Sequence, residues 1–452
     1  TVRGKVVAGA TTGSGVVAHN RMYLGDEGHR DLRDAHFDAA ELIGADGGAS
    51  TEDNKLVVYA KNAKVKSVDH FTAYDFDLGT NVHDGDRMLT VVDAGAFNTT
   101  GNGVALDDIS ATTANLAQDP QDVWGAVTLI ESGTSGTQLK FNMAGRELDA
   151  TNTHEFALHT DSGTTETDKL LLDYNRYHGG KVVHDADTPP RKVGTETELY
   201  GGLSRTGHTT DDNELTINHL AADLTSAYGG KNEGTTGNVQ ANRVTVNGTA
   251  ALSPSTTEYA VDKVYGGYTA GTGDVQNNNV TIAGGTVTNA YGGYTAGNGA
   301  VENNSVTVTG GTIQGEIYGG VSEGSGDVIN NVVNLGDEKH HDLYDADLTA
   351  ADLAGAKTGT GKASGNALNV YAKNADVNSV AKFDKYHFIL DRAITDCATM
   401  LSVDAGGFGG EIDWNNVAVE KVPAMMTDGK KGHNPGGRVV LAEGGPGADL
   451  LK

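Results

Sequence analysis

The sequence predicts an all-β fold, a parallel β-solenoid of the right-handed β-helix type with short loop or helical excursions. Three observations carry this. The first is a short period: Tyr-Gly-Gly falls at Tyr265, Tyr291 and Tyr318, and an asparagine follows each tyrosine at Asn278, Asn304 and Asn331. A period of 20 to 50 residues belongs to solenoids, propellers and arrays. The second is the content of one period. Runs of three to five residues rich in β-branched side chains, such as Val280-Thr281-Ile282 and Thr286-Val287, are parted by Gly-Gly or Asn-Asn, without the i, i+3, i+4, i+7 spacing of a helix. The third is composition: 63 glycines in 452 residues, 6 % aromatics and only 7 prolines. That suits many thin layers better than one large core.

One period then makes one coil. Coils stacked in register lie about 4.8 Å apart and set like side chains over like. Tyr265, Tyr291 and Tyr318 would form an aromatic stack, and Asn278, Asn304 and Asn331 an amide ladder. The plainer readings are ordinary core packing for the tyrosines and a turn preference for the asparagines. Glycine serves the corners and the close backbone approaches. At about 27 residues per coil the chain has length for roughly 17 coils, with two ends that solenoids normally cap. No cap is legible in the residues.

Taken in order, the chain opens inside a coil. Thr1–Gly9 (TVRGKVVAG) lines up with Thr312–Gly320 (TIQGEIYGG), and Asn20–Glu27 (NRMYLGDE) with Asn331–Glu338 (NVVNLGDE), an offset of 311. VYAKNA at Val58–Ala63 returns at Val370–Ala375, and SVDHFTAYDFDL at Ser67–Leu78 returns as SVAKFDKYHFIL at Ser379–Leu390. VDAG occurs at Val92–Gly95 and Val403–Gly406, and Ala126–Lys140 is mirrored by Arg438–Lys452. Residues 1–311 read as one long module and 312–452 as a partial second copy, a window on a longer rod.

Within the first module, residues 28–52 read as an excursion, a loop or one short helical turn, as do 339–365 in the second. Strands are expected at Leu56–Tyr59, Tyr74–Leu78, Met88–Val92 and Val127–Ile130. Residues 141–195 are irregular, with strands at Glu155–Leu158 and Leu170–Asp173 and a loop at Asp187–Pro190. The Tyr-Gly-Gly register begins at Tyr200 and Tyr228, with an insertion at Leu252–Glu258.

The Tyr-Gly-Gly coils at 264–336, the AKN segments that follow in the same order, the MLSVDAG run at Met400–Gly406 and VTLIE at Val127–Glu131 together resemble one known group. It is the passenger region of type V autotransporter adhesins, Gly/Asn/Thr-rich β-helical surface proteins of anaerobic Gram-negative bacteria. The resemblance spans residues 54–140, 199–337 and 366–452. It implies export across two membranes, a β-helical stalk and contact with surfaces or other cells. No catalytic residue is carried over, and that group's C-terminal membrane barrel has no counterpart in these residues.

Asp and Glu number 60 against 33 Lys and Arg, a net charge of -27. An acidic chain without basic clusters excludes nucleic acid and anionic membrane as natural partners. No apolar run reaches the ~18 residues of a membrane span. Cys397 is the one cysteine, so an intramolecular disulfide is impossible, and its strand-like context predicts a small buried hydrophobe.

Catalysis by a β-helix needs carboxylates clustered on adjacent coils. Asp274, Glu302 and Asp327 are instead isolated, and Ala300 interrupts the row that Asp274 and Asp327 share. Asp337, His340, His341 and Asp342 hold metal-ligating groups, but the first copy reads Gly28-His29-Arg30-Asp31 there, which favours a polar loop. Calcium-binding nonapeptides and EF-hand loops are missing from the sequence, leaving only adventitious calcium on an acidic surface. Phe71, Tyr74 and Phe76, with Phe383, Tyr386 and Phe388, are spaced for a core face rather than a sugar platform.

The expectation is a non-catalytic extracellular rod or filament at the cell surface, structural or adhesive, with no cofactor. Its partners are other copies of itself, end to end, or a receptor or glycan on a host or bacterial surface. The alternative is a lyase or hydrolase acting on acidic polysaccharide.

Overall fold

The computed structural model describes residues 1–452 other than 49, 98–102, 113–122, 135–136, 186–196, 252–256, 391–393, 395–396, 410–411, 421–437 and 445–452. The loop expected at Asp187–Pro190 and most of the insertion at Leu252–Glu258 lie outside the described residues. Two compact units emerge: Thr1–Asp119 with Trp124–Asn175, and Pro120–Val123 with Arg176–Lys452. Helix is confined, among the described residues, to short 3-10 turns at Ala94–Ala96, Leu106–Asp108 and Trp414–Asn416. None of the helices described is long and apolar enough to cross a membrane.

The unit from Arg176 is a parallel β-solenoid with three sheets running along it. A typical coil holds a long strand, Ala260–Thr269, then a two-residue strand, Val275–Gln276, then a four-residue strand, Asn279–Ile282. The next coil repeats them as Thr286–Thr295, Val301–Glu302 and Ser305–Val308. Stacking gives sheets of ten, six and nine strands. Register is kept residue for residue: Tyr265 pairs with Tyr291 and Tyr291 with Tyr318, while Val280 pairs with Val306 and Val306 with Val333. The period-2 alternation of the short strands explains why. Val280 and Ile282 are fully buried and Thr281 between them is not, so a slip of one residue would turn valines out to water.

Unit Thr1–Asp119 with Trp124–Asn175 uses the same plan over fewer coils. Its long parallel strands are Arg3–Val7, Phe37–Ile43, Ala63–Asp69, Arg87–Val91 and Trp124–Ser132; its second row is Arg21–Leu24, Lys55–Val58, Ala73–Asp77 and Ile109–Thr112. The pairings of the first copy recur in the second. Lys5 pairs with Glu41 as Glu316 pairs with Asp352, and Arg21 with Lys55 as Val332 with Ala367. Ala63 likewise pairs with Leu89 as Ala375 pairs with Leu401.

Several expectations need correction. The excursions are shorter than predicted, because Phe37–Ile43 and Asp352–Thr358 are full members of the long sheets. Their Ala- and Asp-rich sequences hide strands whose partners, not their propensity, hold them. Residues 141–176 do not continue the coils: Lys169–Arg176 runs antiparallel to Trp124–Ser132, and Gly145–Leu148 antiparallel to His154–Thr160. These strands cover the edge of the last parallel strand of this sheet, a cap that the sequence did not reveal. Among the described residues, the long sheets hold nine coil positions in one unit and five in the other. Spacing between residues paired on successive coils also varies rather than holding near 27: Lys55 pairs with Ala73, 18 residues on, and Arg87 with Thr128, 41 residues on. Cys397 is exposed, in a turn with φ 64°, and not buried in a strand.

Candidate functional site: the asparagine and tyrosine columns

The three predicted asparagines belong to a longer buried ladder of Asn213, Asn242, Asn278, Asn304, Asn331 and Asn366. At Asn304 the geometry is complete. Its Nδ2 donates to Asn331 Oδ1 at 3.0 Å and to the Val275 carbonyl at 2.9 Å, while its backbone N donates to the same Asn331 Oδ1 at 2.9 Å. Its own Oδ1 accepts the corresponding pair from Asn278, both at 2.9 Å. Both amide hydrogens and both lone pairs are used, which is what a side chain at 0 % exposure requires.

A corner residue in the left-handed region precedes each step: Asp212, Ala241, Asn277, Asn303 and Asn330, with φ between 54° and 57°. That corner aims the next backbone N–H and side chain along the solenoid axis. The other unit carries a shorter version, with Asn20 Nδ2 donating to Asn54 Oδ1 at 2.8 Å. Both ladders end alike: Asn54 N donates to Thr72 Oγ1, and Asn366 N to Asp384 Oδ2.

The Tyr-Gly-Gly step is explained by this column. A Cβ on Gly293 would fall 2.5 Å from Asn304 Nδ2, and one on Gly292 would fall 2.5 Å from the carbonyl oxygen of Gly319. One glycine admits the neighbouring coil and the other admits the amide.

The tyrosines stack as predicted, but on the outer side of the long sheet, since Val264 and Ala290 beside them line the interior. The column runs through Tyr200, Tyr228, Tyr265, Tyr291 and Tyr318, with ring centroids 4.9 to 5.9 Å apart and planes within 15°. A second row, Tyr268 and Tyr294, sets its edges against the first at 70–78°. Lys231 precedes this row in register, its Nζ 4.7 Å from the Tyr228 ring, and Lys357 lies beyond it, bonded to Glu323 at 2.8 Å. Burial pushes Tyr291 and Tyr318 up to about 12, and Tyr265 higher still. The hydrogen bond from Lys357 holds the Glu323 carboxyl below its ordinary range.

The residues weighed for other chemistry are occupied structurally. Asp274 Oδ1 accepts from Ala300 N and Asp327 Oδ1 from Lys362 N, each stapling its coil to the next. Asp337 Oδ1 accepts from His340 N and Nδ1, the same turn that Asp26 and His29 form in the first copy, while His341 Nε2 meets the Glu338 carbonyl. Phe71, Tyr74, Phe76, Tyr386 and Phe388 are buried, and Phe383 half-buried.

Sequence reasoning missed one cluster. Among the described residues, His178, Asp211 and Asp212 bring three metal-ligating atoms within 4.8 Å of one another. His178 lies one coil from the adjacent pair Asp211-Asp212, so their neighbourhood shows only once the coils are stacked.

No family model, curated protein or solved structure matches the chain.

Proposed function

We propose that the chain is a non-catalytic extracellular rod or filament of tandem β-solenoid modules that mediates cell-surface contact or self-assembly. The observation that carries this reading is the continuous, in-register pair of columns. Buried amides bond coil to coil from Asn213 to Asn366, and five tyrosines stack along the outer face beside them. An architecture of equivalent layers suits a stiff spacer, and a repeated module offers one weak contact many times over, which raises avidity without a tight single site. The recurrence of the first copy's strand pairings in the second supports the tandem arrangement. The resemblance to autotransporter passengers supports the surface location.

The polysaccharide lyase or hydrolase reading gains no support from the acids considered for it, since Asp274 and Asp327 each accept from a neighbouring backbone N–H.

Beads coated with the chain at rising density test the proposal. Their attachment to bacterial and epithelial cells, and to one another, is expected to rise steeply with density. Attachment absent at every density, together with sustained product release from acidic polysaccharides, would replace the rod with the enzyme.

A further inference from the structure

The first steps of the amide ladder also prepare a set of side chains that the rod does not need. His178 and Asp211 face each other across two adjacent coils, His178 Nδ1 lying 2.8 Å from Asp211 Oδ1, and Asp212 adds a second carboxylate within the same 4.8 Å group. We infer that His178, Asp211 and Asp212 form a binding site for a borderline divalent cation of the zinc type.

Three lines of geometry support it. The backbone is fixed on both sides: Asp211 N donates to the Tyr177 carbonyl at 3.1 Å and Gly179 N to the Asp211 carbonyl at 3.2 Å. One residue beyond Asp212, Asn213 Oδ1 accepts from Gly180 N at 2.8 Å and Asn213 Nδ2 donates to the Tyr177 carbonyl at 3.0 Å. The three ligand-bearing positions therefore sit between pinned points, so binding needs side-chain rotation and little ordering of the backbone.

The spacing is also suitable. Ligand atoms 2.0–2.1 Å from a tetrahedral zinc lie about 3.4 Å from each other. Distances of 2.8 Å and up to 4.8 Å bracket that value.

Finally, the trio departs from the repeat. Equivalent pairs on the following coils are Gln240-Ala241, Gln276-Asn277, Glu302-Asn303, Ile329-Asn330 and Ser364-Gly365. The left-handed corner at Asp212 accepts Asn or Gly elsewhere, so folding does not demand a carboxylate there. A parallel contact, His19 Nδ1 with Asp53 Oδ2 at 3.0 Å across two coils of the other unit, belongs to no three-ligand group among the described residues.

One imidazole nitrogen and two carboxylates suit zinc, manganese, cobalt or nickel. Calcium takes six to eight oxygens and gains nothing from the imidazole. Three protein ligands would leave a zinc coordination position open to water or to a partner's side chain.

Titration calorimetry of the chelator-stripped chain with zinc chloride tests this. One zinc per chain is expected, with a dissociation constant of about 10 µM or tighter. H178A and D212N should each weaken it at least tenfold, whereas H340A and H19A leave it within twofold. D212N keeps the corner that Asn occupies on other coils, and its far-UV circular dichroism should match the parent. Zinc binding weaker than about 100 µM, binding indifferent to H178A and D212N, or equal affinity for calcium would overturn the inference.

Discussion

At the scale of single residues, the ladder asparagine is worth more than its size implies. Asn304 fills four hydrogen-bonding roles at 0 % exposure, so Asn304→Ala leaves the Asn278 backbone N–H and one of its two amide hydrogens without their acceptor and takes a donor from the Val275 carbonyl. The other Asn278 amide hydrogen keeps the Val239 carbonyl. Leaving a buried polar group unsatisfied costs about 1–3 kcal/mol, and we expect a loss of roughly 3 kcal/mol for this variant. Asn303→Gly, next door at a left-handed corner, should change stability by less than about 1 kcal/mol. Urea denaturation of the two variants against the parent gives the comparison; equal losses would mean that the ladder bonds carry no special weight.

The tyrosines add a pH dependence. Their folded values are raised by burial, to about 12 for Tyr291 and Tyr318, above the ordinary value of 10. A raised acid binds its proton more tightly in the folded state, so its contribution is whole below pH 10 and fades as pH climbs from 10 to 12. Phenolate absorbance should therefore show a late fraction that titrates together with loss of circular dichroism. All tyrosines ionising near pH 10 in a folded chain would contradict this.

At the scale of elements, a strand here is defined by the strands above and below it. Tyr-Gly-Gly is a steric statement about two neighbours: the amide of its own coil and the carbonyl of the next. Gly293→Ala places a methyl 2.5 Å from Asn304 Nδ2 and 2.9 Å from Val275 Cγ1, both on fully buried side chains, one of them held in the amide ladder. Overpacking of that kind costs about 1–3 kcal/mol. Gly13→Ala, where an added Cβ meets nothing within 4 Å, should be neutral. Thermal unfolding of both variants decides the point, and a neutral Gly293→Ala would refute the steric account of the motif. The hairpins at 145–176 show the same dependence in reverse. Their alternating residues are ordinary strand sequence, and only the edge offered by Trp124–Ser132 turns them antiparallel.

At the scale of the whole molecule, charge sets how copies meet. A net charge of -27 makes like chains repel over the Debye length, about 30 Å at 10 mM salt and 8 Å at physiological strength. Self-association should accordingly strengthen as salt rises from 10 to 150 mM, as followed by sedimentation velocity. Association that weakens with salt would point instead to pairing of opposite charges and to a different contact surface. The two compact units also divide near residue 175 rather than at the 311-residue repeat. A sequence period records ancestry of segments, whereas a compact unit records which coils touch.

What the residues determined by themselves was everything that repeats at near-constant spacing: the all-β class, the coil and its length near Tyr265–Tyr318, the stacking of Asn278, Asn304 and Asn331, and the correspondence of VYAKNA at two places. Identical side chains at equal separations can satisfy one another only in parallel register, so the pattern carries its own geometry. The extension of the ladder to Asn213, Asn242 and Asn366 was hidden because those steps span 29, 36 and 35 residues, their loops absorbing the difference. Strand direction at 145–176, the outward face of the tyrosines, the exposure of Cys397 and the meeting of His178 with Asp211 across 33 residues were decided by tertiary structure alone. Each depends on which backbone lies alongside. Alternation within one strand specifies a buried face but not the neighbour that buries it.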